Sequence, residues 1–507
     1  MKPPDPSTTE REKELLRMSM VDYINARRTG NVSCEEYARV LVKRAKYYRY
    51  MNQWIFTTYP LLDGVITRAI ELDEKAKAEG IESIAPLFGL PVPMKGTSAV
   101  KQYPSGGGCG LLCSYTPIKN SAMTEQIREA NGIIFGCTNV PPFAYNIVTH
   151  NAHSGITLNP YNHEWTVGGS SGGAASAVAS YMCPVAVSED TGGSTRIPAW
   201  SCGLFGFDPA RNHFPNEGNS AICFTKDQIG VVARSLEDVI LYDRCVMGAR
   251  HGANVLHSQA AAQAAARAEA GGEMLRIGVP KVPFVQGPHV PEWGQEEWGQ
   301  KLDAACSKKL QAVKAALKAE GLEIVEEEWP SEPCGSLGGR CVNVLARVLF
   351  EPKQINGKVF QASEVYNATF AGQVALWAHQ YVGASLSLQQ LGTDVEGSGL
   401  NLNTKADETQ LRYYLGPHIR ELVAAYNSYF DAHGVDFLLL PAGPSGTPDV
   451  ADASWAALPP FLLPSEGAAH TEAARADRRG RGRAPDGGAG VGPGGRLPGH
   501  VRRCPVV

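Results

Sequence analysis

The chain carries little charge for its size, and that charge is nearly balanced. Asp, Glu, Lys and Arg make up 19% of its 507 residues, for a formal net charge of −4. Such a balance gives no whole-chain basic footprint for nucleic acid or an anionic bilayer. No run of 18 apolar residues occurs, and residues 1–14 are polar, contain proline and have no apolar segment. Neither a membrane span nor a secretory leader is expected, and the chain reads as cytoplasmic. Cys-x-x-Cys pairs are also missing. The twelve cysteines are scattered, and Cys109 and Cys113 have no second pair or histidine cluster nearby. Buried reduced thiols are expected rather than a zinc site or a disulfide framework. His150, His153 and His163 lack metal-ligand spacing with acidic partners and read as loop or surface residues. No metal or cofactor motif is found. What is abundant is apolar side chain, 43%, enough for a large core, and glycine, 54 residues with no three-residue period. That glycine points to tight turns and close backbone approaches.

Helical spacing runs through residues 12–28, 33–47 and 61–80, and Ser33 with Glu36 reads as a capping box. The pattern then changes. Short apolar runs at 87–93, 132–137, 183–187, 275–280, 323–328 and 436–440 fit strands. Helical stretches at 122–130, 172–180, 235–248, 298–321 and 406–430 lie between them. This alternation predicts an α/β protein with a mixed, largely parallel central sheet covered by helices on both faces. Residues 1–12 read as a flexible tail and 13–465 as one domain. Within it, residues 13–80 are N-terminal helices, 81–250 the core of the site, and 251–465 the remaining sheet and cavity helices. Residues 466–507 differ in kind. Gly, Ala, Pro and Arg supply 29 of these 42, with no Lys and no aromatic residue, so they cannot build a core and read as a disordered or aberrant extension.

The densest cluster of glycine and hydroxyl groups is Val167-Gly168-Gly169-Ser170-Ser171-Gly172-Gly173. It is followed by Glu189-Asp190-Thr191-Gly192-Gly193-Ser194-Thr195-Arg196-Ile197-Pro198-Ala199. Two Gly-Gly-Ser elements thus lie 24 residues apart, each beside a predicted helix or turn. Converging amides next to a hydroxyl are what an oxyanion hole needs. A phosphate-binding loop fits poorly, because no Gly-Lys-Ser/Thr follows. Gly168–Gly172 formally matches Gly-x-Ser-x-Gly, but residues 162–166 make a poor buried strand leading into it. Glycine turns without chemistry remain a third reading.

These segments resemble the amidase signature family. The likeness also runs through Gly89-Leu90-Pro91-Val92-Pro93-Met94-Lys95 and Gly136-Cys137-Thr138-Asn139-Val140-Pro141. It continues through Leu158-Asn159-Pro160, Cys202-Gly203-Leu204-Phe205-Gly206-Phe207 and Asp227-Gln228-Ile229-Gly230. The resemblance covers about residues 15–445. It implies a Ser–Ser–Lys triad with Ser194 as nucleophile, Ser170 as bridging serine on a cis peptide bond, and Lys95 as base. It also implies an oxyanion hole from the amides of Thr191, Gly192, Gly193 and Ser194. Ser171 would support Lys95 by hydrogen bonding, and Asp190 and Arg196 would hold the loop. A serine hydroxyl needs a neighbouring base, and a lysine can be one only where its neutral form is favoured. Gly192 and Gly193 are expected to tolerate substitution poorly. The chain departs from the family pattern at Gly96, where an acidic residue is usual. It departs again at Asn131 for Gly, Pro142 for Glu and Val231 for Pro. The implied activity is hydrolysis of a small or aryl carboxamide without a cofactor. The alternative is the glutaminase component of a tRNA-dependent amidotransferase, which would need a partner subunit; a third is a catalytically impaired homologue. A homodimer is left open.

Overall fold

The computed structural model describes residues 9–220, 222–247, 274–281, 303–334, 340–343, 353–355, 357–360, 369–370, 373–383, 407–442 and 447–448. The segment 466–507 lies outside these residues.

The N-terminal helical reading divides in two. Helix α1 (Glu10–Arg17) ends before Ser19, whose hydroxyl caps α2 (Met20–Arg28) in a reciprocal box with Asp22. The expected box at the start of α3 (Cys34–Tyr47) is only half made. Ser33 Oγ accepts from the Glu36 amide at 2.9 Å, but the Glu36 carboxylate is taken by Arg11 Nε at 2.9 Å. A tertiary ion pair has replaced the local return bond. Helix α4 (Asp63–Glu79) follows, and its Asp73 accepts from the Cys34 and Glu35 amides at the α3 N-terminus while pairing with buried Arg27.

The residue 87–93 run becomes strand β1 (Pro91–Lys95), buried throughout and paired in parallel with β2 (Ile133–Thr138), which follows α5 (Ala122–Glu129). A small hairpin, β3 (His150–Asn151) and β4 (Gly155–Ile156), precedes α6 (Gly172–Ala179). Helix α6 contains only Gly, Ala, Ser and Val, and all eight residues are buried. Small side chains all round allow it to sit directly on β1 and on β5 (Val185–Asp190). Next come α7 (Arg196–Cys202), β6 (Phe205–Phe207), β7 (Gln228–Ala233) and α8 (Leu236–Met247). Strands β5 and β6 flank β7, both antiparallel to it. A parallel trio is formed by β8 (Arg276–Gly278), β9 (Glu323–Val325) and the Phe437–Leu438 strand. The fold is therefore α/β with a mixed sheet system. One apolar cluster runs from Leu15 through β1, β2, β5 and β7 to Met247.

Two of the departures from the family pattern have a local cause. A Cβ at Gly96 would lie 2.6 Å from the Thr138 carbonyl oxygen and 2.6 Å from Ile55 Cδ1, so no side chain fits there. Asn131 takes φ +55 and donates from Nδ2 to the Ala85 carbonyl at 2.8 Å. Asparagine is among the few residues that accept that conformation. Nine cysteines, at 34, 109, 113, 137, 183, 202, 223, 245 and 306, are free and six of these are buried; burial pushes the Cys137 thiol up to about 12. No described helix is long and apolar enough to cross a membrane.

Candidate active site

Strand β1 delivers Lys95 into the interior at its last residue, opposite Thr138. The lysine is fully buried, and its Nζ makes three hydrogen bonds. These go to Ser170 Oγ at 2.8 Å, the Glu189 carbonyl at 2.9 Å and Glu189 Oε2 at 2.7 Å. Ser170 sits in the loop before α6, and the Gly169–Ser170 peptide is cis. The loop is wedged against backbone. A Cβ at Gly169 would meet the Ile147 carbonyl carbon at 2.5 Å, and one at Gly173 the Gln53 carbonyl oxygen at 2.5 Å. Glycine is required here for close approach.

Ser194 lies on the turn between β5 and α7. Its carbonyl accepts from the Ser171 amide at 3.2 Å, which ties the two Gly-Gly-Ser loops together. Ser194 is slightly exposed, at 8%, whereas Ser170 is fully enclosed. The turn is organised by Asp190. Its Oδ1 accepts from the Gly193 amide at 2.5 Å and from Arg196 Nη2 at 3.0 Å. Its Oδ2 accepts from the Thr195 amide at 2.8 Å and Arg196 Nε at 3.1 Å. Burial by itself would raise the Asp190 carboxyl. The Arg196 guanidinium and the two amides outweigh it and hold the group below its ordinary value.

Three expectations need correction. The Gly193 amide is engaged by Asp190, which leaves the amides of Thr191, Gly192 and Ser194 from the expected oxyanion set. Gly193 itself is held at φ +108, a conformation suited to glycine. At Gly192 the protein sets no steric demand, because a Cβ there meets nothing within 4 Å. Ser171 does not reach Lys95; its hydroxyl donates to the Glu189 carbonyl at 3.2 Å, the same oxygen that Lys95 Nζ contacts. Its support for the lysine is indirect.

Sequence reasoning places Glu189 and Asp227 within motifs but gives neither a role. Side chains alternate along a strand, so adjacent Glu189 and Asp190 at the end of β5 serve opposite sides. Asp190 holds the turn, and Glu189 meets Lys95. The legible signal was a pair of consecutive acidic residues closing a buried strand that starts Val-Ala-Val. Asp227 comes in from just before β7, because the β5–β7 register sets Asp190 opposite Gln228. Thr191 Oγ1 lies 2.7 Å from both Glu189 Oε1 and Asp227 Oδ1. Burial, then the nearby Glu189 charge, raises the Asp227 carboxyl well above its ordinary range. The histidines lie elsewhere: His150 in β3, His153 edge-on to Phe56 and His163 edge-on to Tyr50. Among the described residues, no three histidine, cysteine or acidic side chains are grouped to hold a metal ion.

Known proteins share this framework. A glutamyl-tRNA(Gln) amidotransferase subunit of Methanosarcina mazei is 34% identical over 241 residues, 47% of this chain and 50% of that protein. The corresponding subunit from Chlorobaculum tepidum is 31% identical over 303 residues, covering 60% of this chain and 59% of that one. The chain thus spans roughly half the length of the curated relatives it matches. Among solved structures, 6-aminohexanoate cyclic dimer hydrolase superposes with a TM-score of 0.64 at 20% identity, covering 88% of this chain and 86% of that one. Fatty acid amide hydrolase does so with a TM-score of 0.65 at 18% identity, covering 90% and 73%. These likenesses show a common fold. The model of the Amidase family matches residues 48–337, a span that carries β1, both Gly-Gly-Ser loops and β7. That is more than half of the sequence, and this chain belongs to the amidase family.

Proposed function

We propose that the chain hydrolyses the carbon–nitrogen bond of a small or aryl carboxamide through a serine acyl-enzyme. The observation that supports this most is the buried 2.8 Å contact between Lys95 Nζ and Ser170 Oγ, in a loop hydrogen-bonded to that of Ser194. Ser194 attacks the amide carbonyl while its proton passes through Ser170 to neutral Lys95. The amides of Thr191, Gly192 and Ser194 take the developing oxyanion. Ser170 then returns the proton to the departing nitrogen, and water cleaves the acyl-enzyme by the same relay. No metal or cofactor is assigned a role.

Ammonia release from a panel of amides, with fluorophosphonate labelling, tests the reading. Ser194→Ala is expected to lose both by several orders of magnitude. Labelling that survives in Ser194→Ala and disappears in Ser170→Ala overturns it. The names of the curated relatives favour a second reading, a glutaminase component that passes ammonia to a partner. Glutamine hydrolysis together with co-purification of a second protein chain would select it, and activity on aryl amides by the isolated chain would exclude it.

A further inference from the structure

A hydroxyl has one hydrogen, yet Thr191 Oγ1 stands 2.7 Å from a carboxyl oxygen on each side, Glu189 Oε1 and Asp227 Oδ1. It can donate to only one of them. The other contact is a hydrogen bond only if that carboxyl carries a proton and donates it to the threonine. Glu189, Thr191 and Asp227 are all buried, so two ionised carboxylates facing one hydroxyl would leave an uncompensated charge away from water. One proton is therefore held between Glu189 and Asp227.

The far oxygen of Glu189 is the one that contacts Lys95, at 2.7 Å. We propose that Glu189, Thr191 and Asp227 form a one-proton relay that sets the charge beside Lys95 and so governs when Lys95 serves as base. The proposal rests on the amidase reading above. Two arrangements conserve all protons. In one, Asp227 carries the proton and donates to Thr191, Thr191 donates to Glu189, and the Glu189 carboxylate favours the Lys95 ammonium. In the other, Asp227 gives its proton to Thr191 Oγ1 as the threonine hydrogen passes to Glu189 Oε1. Glu189 is then neutral and the negative charge rests on Asp227. The amides of Ile222 and Cys223 already donate to Asp227 there, at 2.9 and 3.0 Å. With Glu189 neutral, the Lys95 ammonium passes one proton by way of the Ser170 hydroxyl to solvent at the slightly exposed Ser194, and neutral Lys95 then accepts the proton of Ser170.

The other groups around the relay do not replace it. From β2, Thr138 and the protonated thiol of Cys137 neighbour Lys95. Helix α6 and strand β7 carry no ionisable residue. Asp190 is occupied by Arg196, which also lies 3.4 Å from Asp208. Near Asp227 stand Cys223 and Lys226. Glu189 acts on the reacting atoms only through Lys95, and is a positioning residue.

The test is the pH profile of kcat/KM for an amide that the wild type hydrolyses, with fluorophosphonate labelling of Ser194 as a separate check on the amidase reading. Glu189→Gln removes the anion that favours the ammonium, so the acidic limb should move to lower pH by about 1–3 units. Thr191→Val uncouples the carboxyls and should move it upward, and Thr191→Ser should restore the wild-type midpoint. A purely structural role would lower the rate and leave every midpoint in place, which would overturn the relay while Ser194 still labels. Infrared spectroscopy needs no activity. Wild type at neutral pH should show the carbonyl band of a protonated carboxylic acid, lost in Asp227→Asn. Absence of that band overturns the shared proton even if the chain hydrolyses no amide.

Discussion

The two Gly-Gly-Ser loops look alike in sequence but need their glycines for different reasons. Around Ser170 the glycines are there because other backbone occupies the space where a side chain would go. Added Cβ atoms at Gly169 and Gly173 would collide with carbonyl groups of Ile147 and Gln53. Around Ser194 the space at Gly192 is open, and the turn is held by one carboxylate, Asp190, with Arg196 behind it. The first loop is shaped by packing and the second by electrostatics. A shared motif therefore does not imply a shared tolerance.

The largest effect should come from removing the electrostatic anchor. Asp190→Ala leaves Arg196, 3% exposed, with the longer contact to Asp208 in place of its shorter pair, and frees the turn amides of Gly193 and Thr195. Breaking such a buried pair costs about 3–5 kcal/mol, measurable as a drop in denaturant midpoint, with loss of Ser194 labelling. A soluble Asp190→Ala protein of wild-type stability would contradict this account of the turn. Gly173→Ala should come next. Overpacking against the Asn139 and Gln53 backbone costs on the order of 1–3 kcal/mol, and no side-chain rotation can relieve it.

Acid should act on the second loop more than on the first. Because the folded Asp190 carboxyl is held low, its stabilisation is present above the unfolded value, about 3.9, and is lost as pH falls through the folded one. The stability gap between wild type and Asp190→Asn should therefore narrow below about pH 4. An unchanged gap at pH 3 would reassign the role of Asp190. The smallest effect is expected for Gly192→Ala, within about 0.5 kcal/mol in stability, against the intolerance that the sequence suggested. Any loss of activity in that folded variant would then report on space needed by substrate rather than by the protein.

Much of the framework was legible before any coordinates. Apolar runs bounded by Gly and Pro located β1, β2 and β5 to within a few residues, because burial and strand pairing impose those patterns locally. The helix expected over residues 12–28 was the clearest failure. The apolar spacing continues through Met18 and Met20, and only the Ser19–Asp22 capping box divides it. At the site, Lys95 meets Ser170 at 2.8 Å, and the Ser194 loop is hydrogen-bonded to the Ser170 loop through the Ser171 amide. Their hydrogen-bond assignments were not legible. Nothing in the sequence says that Asp190 would claim the Gly193 amide, or that Ser171 would turn to the Glu189 carbonyl rather than to Lys95.

By itself, the sequence determined helices α3 to α6 and α8, the buried strands β1, β2 and β5, the two Gly-Gly-Ser loops and the family likeness, since each depends on local periodicity or on contiguous motifs. Only the tertiary structure decided which donor meets which acceptor. Thr191 and Asp227 are 36 residues apart, and their meeting depends on the antiparallel register of β5 with β7. Hydrogen bonds are directional and short-ranged, so a shift of one residue in that register would remove Asp227 from Thr191 and leave Glu189 alone with Lys95.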